Sequence, residues 1–328
     1  MPRALVTGGA GFIGSHLCEQ LLSQDYDVCV VDNLATGIAA QVPEQAEFVE
    51  MDVSARDTME RLFDDRDFDI VLHLAAQVSN IISHQDPWLD FRTNVGGTLN
   101  VLEQVQRHQV PRLLYASSMA VYGACGDAPV SEDAPTRPLS PYGVSKLAAE
   151  QLIHNAARES KATSPLSVTS LRMFNVYGPL QSLDNPYQGV VSVFINNVLE
   201  GKPITLFGDG EQTRDFVHID DVIRCWMAAL ESRHVDGSRL NVGSGKSSSI
   251  NELIDAVVAG FGMTTEEYTV LREPELPGDQ RAVRADTTKT RDLLGWQAES
   301  SLADGLRSTV EWAKASGSAT QEDVADAR

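Results

Sequence analysis

The sequence has no apolar run of membrane-spanning length, few cysteines and very little lysine. A spanning helix needs about 20 consecutive apolar residues, so no membrane partner is expected. The four cysteines, Cys18, Cys29, Cys125 and Cys225, are scattered without metal-ligand spacing. They read as small buried hydrophobes in a reducing compartment, with no metal site. Met1-Pro2-Arg3 leads straight into an apolar strand without a secretory leader, and the expected location is cytoplasmic. Lysine occurs six times among 26 basic residues, against 46 acidic ones, for a net charge of −20. That balance argues against nucleic acid and against an anionic membrane surface. Any anionic ligand must be met by a few locally placed basic groups.

What is present is concentrated at the amino terminus. Arg3–Thr7 reads as a short buried strand, Gly8-Gly9-Ala10-Gly11-Phe12-Ile13-Gly14 follows, and Ser15-His16-Leu17 opens a helical pattern. Strand, glycine-rich turn and helix start form the context of a dinucleotide site. Glycine lets the backbone turn tightly and lets a pyrophosphate approach, and the helix start offers unpaired N–H groups. Two spacings fit, Gly9-x-Gly11-x-x-Gly14 and Gly8-x-x-Gly11-x-x-Gly14; a glycine-rich turn without a ligand is the bland alternative. Val28–Val31 reads as a second buried strand ending in Asp32, 18 residues after Gly14. An acid there binds both hydroxyls of an adenosine ribose and repels a 2′-phosphate. The expected cofactor is NAD.

The chain then alternates. Helices are expected over Ile13–Ser23 and Arg56–Asp65, and strands over Ala46–Met51, Asp69–Leu74 and Pro111–Ser117. Asp52, at the third strand's end, suits an adenine amino group and equally a helix cap. Small residues at Ala75 and Ala76 let a cofactor lie against the backbone. His73 reads as a satisfied core histidine. One long helix is expected over Asp86–His108, with Asn94 in its middle, where asparagine favours a polar contact to nearby backbone. Apolar strands alternating with helices predict an α/β fold, a doubly wound parallel (Rossmann) sheet. Ligands of such sheets sit beyond the carboxyl ends of the strands, where Gly8, Asp32, Asp52, Ala75 and Ser118 fall.

Ser118 is followed by a loop rich in proline and acid, and then by Tyr142-Gly143-Val144-Ser145-Lys146 at a helix start. Tyr142 and Lys146, four apart, share a helix face. An ammonium beside a phenol stabilises tyrosinate and lowers its pKa, which would let Tyr142 remove a hydroxyl proton near neutral pH. Ser118 would order the reacting oxygen; a strand-end serine satisfying backbone is its bland alternative.

The fingerprint, Asp32, Ser118 and Tyr142-x-x-x-Lys146, in this order, resemble the extended short-chain dehydrogenase/reductase family, and within it the sugar-nucleotide epimerases and dehydratases. The resemblance runs from Leu5 to about Trp312. It implies NAD contacts at Gly8, Gly11, Phe12, Ile13 and Gly14 in the loop, and at Asp32, Asn33, Asp52 and Val53 after the next two strands. Further contacts are implied at Leu74, Ala75, Ala76, Asn94, Ser117, Tyr142, Lys146 and Phe174. Leu171–Pro179 resembles the family's segment in which the asparagine, here Asn175, binds the substrate diphosphate. Phe207–His218 is similar to its second signature, whose arginine, Arg214, binds that diphosphate. Pro277–Arg281 resembles a loop in which Asp279 meets the nucleotide ribose and Arg281 the phosphates. Arginine suits phosphate, although a surface ion pair is the default for either one alone. Val191 joins the implied substrate residues, in a stretch (185–191) resembling a branch that also includes N-acetylhexosamine and uronic-acid epimerases.

The residues after Ser118 bear on the reaction. The family's dehydratases carry Asp-Glu there and its decarboxylases a glutamate nearby, whereas Met119 and Ala120 can transfer no proton. The resemblance therefore implies C4 epimerisation of a UDP-hexose with NAD retained: oxidation at C4, rotation of the 4-ketose, and reduction from the opposite face. UDP-glucose/UDP-galactose ranks first, UDP-GlcNAc/UDP-GalNAc second and UDP-glucuronate third, with Val283 or Ala282 as the wall that gauges the sugar. A nucleotide-sugar 4-ketoreductase and a non-catalytic NAD-binding protein rank lower. A homodimer through the helices carrying Tyr142 and Asp86 is also implied. The expected division places residues 1–174 and about 213–245 in the NAD-binding domain, and about 175–212 and 246–314 in a nucleotide-sugar-binding domain. Residues 315–328 are expected to be a disordered tail.

Overall fold

The computed structural model describes residues 1–160, 165–185, 189–275 and 280–325, with side chains through residue 316. Its first half runs β1 (Arg3–Thr7), α1 (Phe12–Ser23), β2 (Asp27–Asp32), β3 (Glu47–Glu50), α2 (Arg56–Asp64), β4 (Ile70–His73), α3 (Asn80–Gln85), α4 (Pro87–Phe91), α5 (Gly97–Arg107), β5 (Arg112–Ser118) and α6 (Pro141–Glu159). The second half begins with β6 (Ser167–Met173), β7 (Asn175–Tyr177), α7 (Val190–Leu199), β8 (Ile204–Phe207), β9 (Thr213–Arg214), β10 (Phe216–His218) and α8 (Ile219–Glu231). It continues with β11 (Ser238–Val242), β12 (Ser248–Ser249), α9 (Ile250–Gly260), β13 (Val270–Glu273), α10 (Thr288–Leu294) and α11 (Leu302–Ala325).

Seven strands form one parallel sheet in the order β3-β2-β1-β4-β5-β6-β11. The order reverses between β1 and β4, which opens a crevice at their carboxyl ends. Alternation along each strand feeds two cores. Ala4, Val6, Val28 and Val30 pack on one face with Leu17 and Leu21 of α1 and Trp226 of α8. Leu5, Cys29 and Val31 pack on the other with Phe63 of α2, Val101 of α5 and Ile153 of α6. Each such fully buried aliphatic or aromatic side chain contributes about 1.5–3 kcal/mol. A third core joins α7, β8, α9 and α11 through Phe194, Leu206, Leu253 and Leu306.

Two expectations are corrected. The helix expected over Asp86–His108 is interrupted: α4 ends at Phe91, a π-helical turn covers Arg92–Gly96, and α5 starts at Gly97. Such single-turn insertions accompany a change in backbone hydrogen bonding, and Asn94 lies inside this one. The last helix runs to Ala325, past residue 315, where the disordered tail is expected to begin. Its extension contains no proline and includes several alanines, the strongest helix formers.

A buried ionic junction ties α6 to the sheet. Glu150 of α6 is fully buried and takes a two-pronged pair from Arg172 of β6, Nε to Oε2 at 3.0 Å and Nη2 to Oε1 at 2.6 Å. Ser117 of β5 donates to it at 2.7 Å and Arg239 of β11 at 2.7 Å. Burial acts to raise the Glu150 pKa, but the bond and charge of Arg172, then Ser117 and Arg239, outweigh it and hold the carboxyl below its ordinary value. A carboxylate lowered on folding contributes stability above its unfolded pKa, and that stability is lost as pH falls through the folded value. Breaking a buried pair by removing one partner costs about 3–5 kcal/mol. Glu150→Gln is therefore expected to lose about that much unfolding free energy in urea titrations at pH 7. The gap to the parent should narrow as pH falls below 4.5, the ordinary glutamate value.

Candidate active site

The glycine loop crosses the switch point. Gly8, at the end of β1, packs against the backbone of Leu74 and Ala75 just past β4; a Cβ on it would lie 2.7 Å from Ala75 N. A Cβ on Gly14 would lie 2.1 Å from the Gly8 carbonyl, so the loop closes on α1 only with glycine there. Gly11 caps α1 with no side chain, and Ser15 N–H to Gly11 O, at 2.9 Å, is the helix's first internal bond. The N–H groups of Phe12, Ile13 and Gly14 thus precede the hydrogen-bonded ladder, as an anion cradle requires.

Asp32, at the end of β2, is buried and braces this loop. Its Oδ2 accepts from Ala10 N–H at 3.1 Å and its Oδ1 from Leu34 N–H at 2.9 Å. Burial raises its pKa, opposed by these backbone bonds. Each carboxylate oxygen keeps lone-pair capacity for a ribose hydroxyl. Asn33 donates to Asp52 Oδ2 at 3.1 Å, and Asp52 Oδ1 accepts from Ser54 N–H at 2.7 Å. Asp52 therefore caps the turn before α2, while Val53 is buried against Gly97. Leu74, Ala75 and Ala76 are half-buried along the crevice.

Ser118 ends β5, and its hydroxyl accepts from Ala120 N–H at 3.2 Å, the local contact named as its bland alternative. That hydroxyl also lies beside the Tyr142 phenol and favours its ionised form. The two meet because α6 begins against the turn after β5. Ser140 caps α6 by accepting from Gly143 N–H at 3.2 Å, and Pro141 starts it. A Cβ on Gly143 would lie 2.6 Å from the Ala120 carbonyl, so a larger residue would push the helix away. Lys146, 3% exposed, lies one turn on, with Nζ 4.5 Å from the Tyr115 ring centroid. Burial pushes its pKa down to about 7, against the pull of Asp90 and Glu150.

The electrostatic expectation for Tyr142 is reversed. Burial raises its phenol pKa; Ser118 lowers it and Asp90 raises it further. The cost of removing a phenolate from water exceeds the stabilisation offered by its neighbours. His73 is the satisfied core histidine expected: Nδ1 meets Thr7 Oγ1 at 2.7 Å, Nε2 meets Thr98 Oγ1 at 2.9 Å, and burial drives its pKa to about 3.

Other predicted residues are held by the chain itself. Asn94 grips the backbone of Gln77, accepting its N–H at 2.8 Å and donating to its carbonyl at 3.0 Å. Ser117 points into the Glu150 junction. Phe174 is buried with Val121, Tyr122, Val130 and Val283. Val283, at 1% exposure, is thus a core residue, and the half-buried Ala282 is the more accessible of the two positions named for the sugar wall. The Val191 side chain belongs to the third core, which leaves its backbone, in the first turn of α7, for a ligand. Asn175 donates to the Asp215 carbonyl at 3.0 Å. Arg214 Nη1 donates to the carbonyls of Thr213 and Gln280 at 2.8 and 2.7 Å. Arg281 forms an exposed fork on Asp209, at 2.8 and 3.0 Å, which holds the Asp209 carboxyl at about 2. Asp279 lies outside the described residues.

Sequence reasoning missed Asp215. Fully buried, it accepts from Ser244 N–H at 2.6 Å, Gly245 N–H at 3.0 Å and Ala285 N–H at 3.0 Å, which pins two loops beside Arg214. Its signal was its place inside the Arg-Asp-Phe-Val-His stretch that follows the glycine-rich Phe207–Gly210 turn.

The model of the NAD dependent epimerase/dehydratase family matches residues 4–243. The chain belongs to this family. A putative UDP-glucose 4-epimerase of Methanocaldococcus jannaschii is 38% identical over 312 residues, covering 94% of this chain and 98% of the relative. The structure of the UDP-glucose 4-epimerase of Thermotoga maritima with UDP-glucose aligns with a TM-score of 0.90 at 36% identity, covering 96% of this chain and 99% of that one. The UDP-glucose 4-epimerase of Thermus thermophilus in complex with NAD aligns at 0.86 and 37% identity, covering 94% and 98%. The glycine cradle, the free α1 N–H groups and the acid at the end of β2 fit the family's cofactor. Gly14→Ala is expected to weaken NAD binding by at least about tenfold, ~1.4 kcal/mol, in calorimetric titration, with the far-ultraviolet dichroism unchanged.

Proposed function

We propose that the chain is an NAD-dependent 4-epimerase of UDP-hexoses, with UDP-glucose and UDP-galactose as its first pair. The observation that carries this reading is the Tyr142 phenol beside the Ser118 hydroxyl, with Lys146 buried one helical turn on and Met119 and Ala120, which cannot move a proton, following Ser118. A site with one proton-transferring phenol suits reversible alcohol oxidation and lacks the second acid/base that elimination needs. The similarity to UDP-glucose 4-epimerases supports the sugar.

NAD held by the glycine loop and Asp32 would supply the hydride acceptor, and then the donor, for C4. Tyr142 takes the O4 proton and gives it back to O4 once the 4-ketose has turned its other face to the cofactor site. Ser118 orders the same oxygen, and Lys146 supplies the positive charge that favours tyrosinate. Asn175, Arg214 and Arg281 are proposed to hold the diphosphate, with Arg281 exchanging its Asp209 partner for a phosphate oxygen. The small Ala282 supports N-acetylhexosamine nucleotides as the second substrate class.

NMR of the purified protein with UDP-galactose, and separately with UDP-GalNAc, tests the reading without added NAD. Conversion to the C4 epimer is expected, and Tyr142→Phe should slow it by about 10²–10⁴-fold with the fold intact. Near-normal turnover by that variant would sink the assignment.

We also infer a homodimer. Trp88 and Phe91 of α4, Leu99 of α5 and Val144 of α6 are exposed by 72%, 46%, 45% and 48%, an apolar face on the two helical segments implied to pair. Light scattering should give twice the chain mass, and Phe91→Asp should shift it toward one. A monomeric parent would overturn this. The four cysteines are free, three of them buried, which supports a cytoplasmic setting.

A further inference from the structure

Asp90 is a carboxylate that the proposed mechanism does not use. It lies at the end of α4, 1% exposed, immediately before the π-helical turn. Its Oδ1 accepts from Gln77 Nε2 at 2.7 Å and from Asn94 Nδ2 at 3.3 Å. Its Oδ2 is buried with no hydrogen-bond donor among the described residues. A buried carboxylate oxygen without a donor costs free energy unless a charge nearby compensates it.

Burial raises the Asp90 carboxyl, opposed by Ser145, by Gln77 and then by the charge of Lys146, the cation on which Asp90 acts in turn. A hydrogen-bonded path also connects Asp90 with the helical turn that carries Tyr142. Asn94 Nδ2 reaches Ser145 Oγ at 3.0 Å, and Ser145 Oγ donates to the Tyr142 carbonyl at 3.0 Å. Ser145 itself stands beside the Asp90 carboxylate. Other ionisable groups surround the pair. Glu150, on α6, is paired with Arg172 and Arg239 and adds a weaker pull on Lys146 than Asp90 does. Tyr115 on β5 and His73 on β4 are buried and stay neutral. His84 of α3 and Arg92 of the π-helical turn are exposed. Asp90 is thus the negative charge at this site that no arginine offsets.

We propose that Asp90 is a positioning residue for the epimerisation: it sets its charge against the Lys146 ammonium and so fixes the protonation state of the Tyr142–Lys146 pair. The inference rests on the epimerase reading above. The sign follows from charge alone. A carboxylate disfavours loss of a proton from both Tyr142 and Lys146, so removing its charge makes both give up protons more readily. Between its two macroscopic steps the pair holds one proton, and the active arrangement, with Tyr142 ionised and Lys146 protonated, belongs to that state.

The test is the pH dependence of turnover in NAD-loaded Asp90→Asn. Both limbs of the curve are expected to move to lower pH by about one unit, a tenfold change in each proton equilibrium. Asp90→Glu should restore the parent positions. The phenolate ultraviolet difference spectrum, with Tyr142→Phe as the blank, reads the same shift for Tyr142 without turnover. It therefore separates failure of this inference from failure of the epimerase reading. If Asp90→Asn does not fold, Asp90→Ser carries the same measurement. A uniform loss of rate with both limbs and the phenolate titration unmoved would overturn the proposal and leave Asp90 a packing residue.

Discussion

One buried carboxylate fixes where the proposed chemistry can happen. Glu150 joins α6 to three neighbouring strands at once, through Ser117 of β5, Arg172 of β6 and Arg239 of β11. Tyr142 and Lys146 lie on the same helix, two turns and one turn upstream. Their distance from the crevice is therefore set by a rigid, water-excluded junction. Arg172 extends it further, donating to the Tyr122 hydroxyl at 3.0 Å and the Glu132 carbonyl at 3.1 Å, so the loop after Ser118 is held by the same guanidinium. A buried ion network is weak evidence for net stability, because desolvation offsets most of its attraction. Its value here is geometric: it orders the helix, the strand end and the loop together.

The same exclusion of water governs the electrostatics. Burial raises Tyr142 and lowers Lys146, which pushes each toward its neutral form. The working pair needs the opposite, a phenolate beside an ammonium. The chain therefore has to supply charge and hydrogen bonds to restore it. Ser118 does so for the phenolate, and Asp90 and Glu150 do so for the ammonium. An oxidised nicotinamide cofactor would bring a positive charge to the phenolate's side of that balance. Charged groups cost least when their partners are already in place, as they are in this helix-and-strand frame.

The fold was legible because its signals are periodic and local. Apolar strand runs, the glycine turn, Asp32 and the tyrosine–lysine spacing each depend on neighbours in sequence, and each landed where the pattern put it. The exceptions have separate causes. The π-helical turn at Arg92–Gly96 leaves the helical periodicity almost unchanged; its signature was Asn94, a poor helix former placed mid-helix. The Tyr142 shift could not be read because desolvation depends on what covers a residue from elsewhere in the chain. Ser117 looked like a cofactor neighbour beside Ser118, but alternation along β5 turns it to the opposite side, toward Glu150. Val283, named with Ala282 as the sugar wall, is core because its partners, Tyr122, Val130 and Phe174, are distant from it in sequence.

A chain of net charge −20 that is proposed to bind two diphosphates has to place its cations sparingly. It does so in two ways. At the cofactor end it uses no basic side chain for the loop itself, relying on the backbone N–H groups of Phe12, Ile13 and Gly14 at the start of α1. At the proposed sugar-nucleotide end it uses Arg214 and Arg281, both already engaged, one on backbone carbonyls and one on Asp209. An arginine kept on a carboxylate or a carbonyl is ordered before the ligand arrives. Exchanging one oxygen acceptor for another then costs less than ordering a free side chain. The acidic surface and the anionic ligands are reconciled because the attraction is short-ranged, built from aimed donors rather than from the field of the whole protein.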